Sequence, residues 1–186
     1  MADPVSPHVV LVGLPGSGKS TVGARLARQL GRDFLDFDVE ISRRQAMSIT
    51  DIFTQKGEPF FRALEHDLTE ELRHQENMIL APGGGWVTRP ETVALLRPPA
   101  ALVYLRLSAG AALRRMGSKV DGRPLLQRPD PRGELERLFA VRRSIYESAE
   151  FVVDVEHLYP QRVTEQIIAQ LGVGRRGSAR PDSAGG

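Results

Sequence analysis

Short apolar runs alternate with amphipathic stretches along most of this chain. Val9-Val10-Leu11-Val12 is an uninterrupted run of mostly branched side chains, the pattern of a strand buried on both faces. A helix is predicted over 20–30, stopped by Gly31, then a short strand over 34–37 and a helix around 39–44. Ser48, with Asp51 three residues on, reads as a capping box that opens a helical stretch to Leu72 with a break near Gly57. A third strand over 78–81 leads into Gly83-Gly84-Gly85. Beyond it the pattern predicts a helix near 90–97, a strand over 100–107 and a helix capped by Ser108 that runs to Met116. A long helix over about 134–148, a fifth strand over 151–155 and a last helix over 160–171 complete the series.

Because strand and helix alternate throughout, the class is α/β, with a mostly parallel sheet covered on both faces. Residues 117–133 break the alternation. They are punctuated by Gly and Pro, carry Lys119, Arg123, Arg128 and Arg132, and form a stretch long enough to be functional. Two readings stand: a solvated surface loop, or a cationic lid that closes over a bound phosphate donor. The two ends, 1–7 and 172–186, hold almost nothing to bury and are expected to be disordered, which leaves one domain over 8–171.

Composition narrows the classes of function. With 186 residues, 41% hydrophobic and 26% charged, the chain suits one globular domain. A net charge of +2 is too balanced to demand nucleic acid or an anionic membrane, and 22 of the 25 basic residues are arginine, which explains a high isoelectric point without a basic tract. Cysteine is absent, and the four histidines (His8, His66, His74, His157) are scattered, so neither a thiolate nor a histidine metal site is expected. No apolar run approaches the length that spans a bilayer, and residues 1–8 carry no basic-apolar signal pattern, so the expected setting is the cytoplasm.

The sharpest motif follows the first strand. Gly13-Leu14-Pro15-Gly16-Ser17-Gly18-Lys19-Ser20, with Thr21 next, fits GxxxxGK[ST]. Its glycines let backbone amides wrap phosphate oxygens, and the helix behind presents its positive end. Lys19 can reach the β- and γ-phosphates, and the Ser20 hydroxyl can bind Mg²⁺. A guanine-reading N-K-x-D segment is missing, since Asn77 is the only asparagine, and the third strand runs Met78-Ile79-Leu80-Ala81-Pro82 without the Asp expected of motor ATPases. Magnesium would rely on Ser20, the nucleotide and water, aided by Asp36. That suits a small phosphotransferase.

A second ligand site is suggested by polar residues in apolar company. Asp36 and Asp38 follow the second strand, and two residues apart on extended chain they would face one crevice; the plainer reading makes Asp38 the cap of the following helix. Arg142 lies inside the stripe Leu135, Leu138, Phe139, Ile145, Tyr146, Ala149, with no acid three or four residues away. An inward guanidinium needs an anion, either a distant Asp or Glu or a substrate carboxylate or phosphate. Arg62 sits at the edge of another stripe, and Glu58 and Glu65 account for it as a helical ion-pair network. The glycine triplet is either a sharp turn or a place where ligand meets backbone.

In this order these motifs resemble shikimate kinase over about residues 9–171. The most specific are Leu35-Asp36-Phe37-Asp38 and the run from Gly57 to Glu65, which fits the family's GExxFRxxE; the glycine triplet, Arg123-Pro124-Leu125-Leu126, and Arg142 ahead of Ile145-Tyr146 follow. The resemblance implies a three-layer P-loop fold like that of nucleoside monophosphate kinases, with a central sheet of about five parallel strands and a mobile lid. It implies transfer of the ATP γ-phosphoryl to the 3-hydroxyl of shikimate by a monomer with Mg²⁺, in aromatic amino acid biosynthesis. Carried over, Gly13, Pro15, Gly16, Ser17, Gly18, Lys19, Ser20 and Thr21 hold ATP, and Arg115 stacks on adenine. Arg62 and Arg142 hold the shikimate carboxylate beside Gly84 and Gly85. Asp38 is the base, Arg123 enters from the lid to join Lys19, and Asp36 lies near the magnesium waters. Three departures stand out: Ala81-Pro82 where the family often has Ser or Thr, Trp86 where a small residue is common and so a bulkier substrate wall, and a slightly longer lid. A gluconate or nucleotide kinase, an inactive binding homologue and a nucleic-acid ATPase are the rival readings.

Overall fold

The computed structural model describes residues 7–117 and 129–172. Five strands, β1 (Val9–Val12), β2 (Phe34–Asp36), β3 (Ile79–Ala81), β4 (Ala101–Arg106) and β5 (Phe151–Asp154), pair in parallel in the order β2-β3-β1-β4-β5. Their side chains alternate between two cores. Val9, Leu11, Ile79, Val103 and Leu105 pack on one face of the sheet, and Val10, Val12, Leu80, Leu102 and Tyr104 on the other. Both faces are covered, which is why the central strands read as unbroken apolar runs.

Among the described residues, seven helices cover the sheet: α1 (Lys19–Leu30), α2 (Phe37–Gln45), α3 (Ile49–Leu72), α4 (Pro90–Ala94), α5 (Ala109–Met116), α6 (Pro131–Glu147) and α7 (Pro160–Gln170). Val22 and Leu26 of α1 and Val163 and Ile167 of α7 serve the first core, while Ile41 of α2 and Leu68 and Leu72 of α3 serve the second. None of the helices, among the described residues, is long and apolar enough to cross a membrane. The middle strand β1 has β3 on one side and β4 on the other: the chain runs from β1 to β2 on one side and crosses from β3 to β4 on the other. In open parallel sheets ligands bind in the crevice such a reversal opens at the strands' carboxyl ends.

The helix expected near 90–97 ends at Ala94, and the remaining predicted elements match with three instructive shifts. Helix α2 starts at Phe37, read above as strand, because the Asp36 side chain accepts hydrogen bonds from the amides of Asp38 (3.0 Å) and Val39 (3.3 Å). The cap is therefore Asp36 and not Asp38. Helix α6 begins at Pro131, earlier than its apolar stripe, because Asp130 caps the Gly133 amide at 2.9 Å with proline in the first helical position. Arg132, grouped above with the lid cations, is thereby in that first turn and pairs with Glu136 at 2.9 Å. A 3₁₀ turn over Trp86–Thr88 follows the glycine triplet, between the predicted elements. The break in α3 is as predicted: Gly57 has φ 84°, a left-handed value that glycine adopts without strain. Lys119, Arg123, Arg128 and the rest of 118–128, and the tails apart from Pro7 and Gly172, lie outside the described residues.

Candidate active site

The loop between β1 and α1 turns on Gly13, Gly16 and Gly18, all at positive φ (145°, 81° and 95°). At Gly16 space is as decisive as angle, since a Cβ there would lie 2.8 Å from the Ala112 carbonyl oxygen. The Lys19 ammonium donates to the Gly13 carbonyl at 2.9 Å and the Leu14 carbonyl at 3.1 Å, so the cation is drawn back over the loop's mouth. Gly16 to Thr21, Asp36, Asp38, Gly83 and Gly84 share one cavity of about 700 Å³. The Ser20 hydroxyl donates to the Asp36 carboxylate. Asp36 thus holds both a helix start and the end of the phosphate loop. Asp38 faces the same cavity from the first turn of α2, so the extended-chain argument for its direction does not apply; the helix aims it instead.

The glycine triplet is a meeting point rather than a turn requirement, since none of its three residues has positive φ. A Cβ on Gly83 would lie 2.7 Å from Glu65 Oε1 and 3.5 Å from Asp38 Oδ1. One on Gly84 would lie 3.4 Å from Arg142 Nη1 and 3.3 Å from the Gly13 carbonyl oxygen, and one on Gly85 would collide with the Arg62 guanidinium. Gly85→Ala is accordingly expected to push Arg62 aside and raise the KM of an acidic substrate at least about tenfold, as loss of a charge-assisted hydrogen bond would. Steady-state kinetics check this, and an unchanged KM would separate Gly85 from the site.

The two arginines differ in what holds them. Arg62, 8% exposed, gives Nε and Nη2 to Glu58 (3.1 and 2.8 Å) and Nη1 to Glu65 (2.5 Å), the expected network but deeper in the fold than an edge position implies. Arg142 is 5% exposed, has no carboxylate at ion-pairing distance among the described residues, and keeps a buried Nε without an acceptor. Among the described residues it is neither tied to an internal acid nor turned to solvent. Tyr146, one turn further along α6, donates to the Gly84 carbonyl at 2.7 Å. Sequence reasoning took Tyr146 for plain core; its place four residues after Arg142 was the available signal. It also passed over Glu65 as an ordinary pair. That residue is 2% exposed and lies against the Gly83 backbone, and burial pushes its carboxyl above the usual range against the pull of Arg62.

At the cavity's other end Arg115 donates to the Val155 and Glu156 carbonyls, tying the end of α5 to the loop after β5, where Tyr159 and Pro160 form the adjoining wall. Arg123 lies outside the described residues. Trp86 does not widen any ligand wall: it is 1% exposed in the second core, its indole N–H donating to Thr69 Oγ1 at 2.9 Å. Ala81 and Pro82 line the cavity and bring no hydroxyl to it.

The shikimate kinase family model matches residues 15–172. Shikimate kinase of Mycobacterium tuberculosis is 42% identical over 170 residues, 91% of this chain and 96% of that one. The enzyme of Rhodopseudomonas palustris is 40% identical over 163 residues, 88% of this chain and 80% of the other. Among solved structures, shikimate kinase from Acinetobacter baumannii in complex with shikimate superposes with a TM-score of 0.86 at 33% identity, covering 92% of this chain and 96% of its own.

Proposed function

The chain belongs to the shikimate kinase family, and from that membership we propose how its residues divide the family's reaction. The activity is transfer of the γ-phosphoryl of ATP to the 3-hydroxyl of shikimate, giving shikimate 3-phosphate and ADP, in aromatic amino acid biosynthesis. Gly13, Pro15, Gly16, Ser17, Gly18, Ser20 and Thr21 cradle the triphosphate, Lys19 faces its transferring end, and Arg115 stacks on adenine. Arg142 is the main anchor of the shikimate carboxylate, with Gly84 and Gly85 lining the approach. Arg62 assists: three of its five N–H groups are taken by Glu58 and Glu65, leaving two for a ligand. Asp38 accepts the 3-hydroxyl's hydrogen bond and takes its proton as the oxygen attacks phosphorus. Arg123 joins Lys19 at the developing phosphoryl charge.

Magnesium fits the residues present. A hydroxyl that gives its proton to a carboxylate turns its lone pairs outward, and Ser20 does this beside Asp36, at the end of the phosphate loop. Hard oxygen ligands with several retained waters are what this ion prefers. Ser20 would hold it directly and Asp36 through water, and when bound with ATP it would neutralise phosphate charge. A monomer in the cytoplasm is the proposed setting.

The observation that carries the assignment is Arg142. Removing a guanidinium from water without a counter-charge costs several kcal/mol, and the anionic carboxylate of shikimate supplies that counter-charge beside the phosphate loop. Product analysis of protein, MgATP and shikimate should find shikimate 3-phosphate, whereas turnover of gluconate or nucleoside monophosphates alone would remove the reading. Arg142→Ala should raise the shikimate KM about ten- to a hundredfold, the loss of one charge-assisted contact, with the ATP KM within about twofold. An unchanged shikimate KM would end its role as anchor.

A further inference from the structure

The carbonyls around the glycine triplet are assigned one by one. Gly83 accepts from the Trp86 amide at 3.0 Å and Gly85 from the Thr88 amide at 3.0 Å, both within the local turn. The Gly84 carbonyl between them is taken from outside, by the Tyr146 hydroxyl 62 residues along the chain. Gly84 is also where Arg142 and the phosphate loop converge, through Nη1 of the one and the Gly13 carbonyl and Pro15 ring of the other.

Tyr146 is built to hold that carbonyl still. It is fully buried, and its ring stacks on Tyr104 of β4 with centroids 5.0 Å apart and planes 15° apart. Residues four apart on a helix share a face, so Arg142 and Tyr146 project from α6 together. Burial pushes the Tyr146 phenol up and the Arg142 guanidinium opposes it, as a cation beside the phenolic oxygen would. The hydroxyl therefore gives its proton to Gly84 and turns its oxygen towards the guanidinium. By contrast, the buried Tyr104 hydroxyl has no partner among the described residues, so the stack is not a general polar network.

Resting on Arg142 as the carboxylate anchor, we propose that Tyr146 is a positioning residue whose hydroxyl clamps Gly84 to α6 and thereby sets the separation between the acid-binding guanidinium and the phosphate loop. Through this clamp the organic acid is held at the reach of the phosphoryl donor rather than merely captured.

Tyr146→Phe keeps the ring and removes the clamp. The shikimate KM is expected to rise about three- to tenfold, the worth of a neutral hydrogen bond, with the ATP KM within about twofold. Tyr104→Phe, which deletes the unbonded hydroxyl of the same stack, should move neither. In the Arg142→Lys background, where the fork is already lost, adding Tyr146→Phe should change the shikimate KM by less than about twofold, since coupled residues are not additive. KM is read on the folded fraction, and so is a dissociation constant from the fluorescence of Trp86, the only tryptophan, so partial unfolding does not mask the result. Full additivity, or a lower melting temperature with both KM values unchanged, would reduce Tyr146 to packing and overturn the proposal. If Arg142→Ala leaves the shikimate KM intact, the anchor reading fails and this proposal with it; if that variant behaves as expected and Tyr146→Phe does not, the clamp alone is wrong.

Discussion

Lys19→Ala is expected to lower kcat for shikimate phosphorylation by about a thousandfold, the upper range for deleting one preorganised donor to transition-state charge. The mechanism of the loss is local. Phosphoryl transfer offers little covalent work for protein groups, so rate comes from position and charge, and Lys19 is the cation held over the mouth of the loop by the Gly13 and Leu14 carbonyls. The amides of 13–18 remain, so ATP should still bind, more weakly, and the melting temperature should stay within a few degrees of the parent because the side chain is only partly buried and fills no core. Coupled ADP release with a parallel thermal melt separates these effects. A variant that retains even a tenth of the parent kcat would show that the transferring group does not lie beneath this residue.

Asp38→Asn should cost about a hundred- to ten-thousandfold in kcat, the range for losing a general base, and leave the ATP KM within about twofold. The substitution preserves size and removes the proton acceptor. What makes it informative is the helix start: Asp36 provides the cap of α2, so Asp38→Asn spares the cap and any large kinetic effect is chemical. A parent-like kcat would return Asp38 to the role of a polar residue in a first helical turn. Replacing Asp36 is a different experiment, because its carboxylate serves two amides and the Ser20 hydroxyl at once, and structure and metal binding would change together.

Local physics made most of the framework legible. The strand run 9–12, the caps at Ser48 and Ser108 and the glycine break at 57 all depend on neighbours within a few residues, and they appear where the pattern puts them. The phosphate loop is legible for the same reason, as eight consecutive residues whose backbone makes the site. Errors fall where two local rules compete. Asp36 and Asp38 are equally good caps on paper, and only the observed turn chooses between them; Asp130-Pro131 is a good helix start that the apolar stripe, beginning later, conceals.

The chain's order of residues by itself determined the α/β alternation, the phosphate loop and the presence of a guanidinium among apolar neighbours, because each is a matter of period, short spacing or composition. Only the tertiary structure decided that Arg142 meets no internal acid among the described residues, that Trp86 turns into the core, and that Tyr146 reaches Gly84. Those outcomes join residues many positions apart across a sheet in which β3 inserts between β2 and β1. The strand order arises from packing all layers at once, and it sets which buried polar group among the described residues finds a partner and which does not.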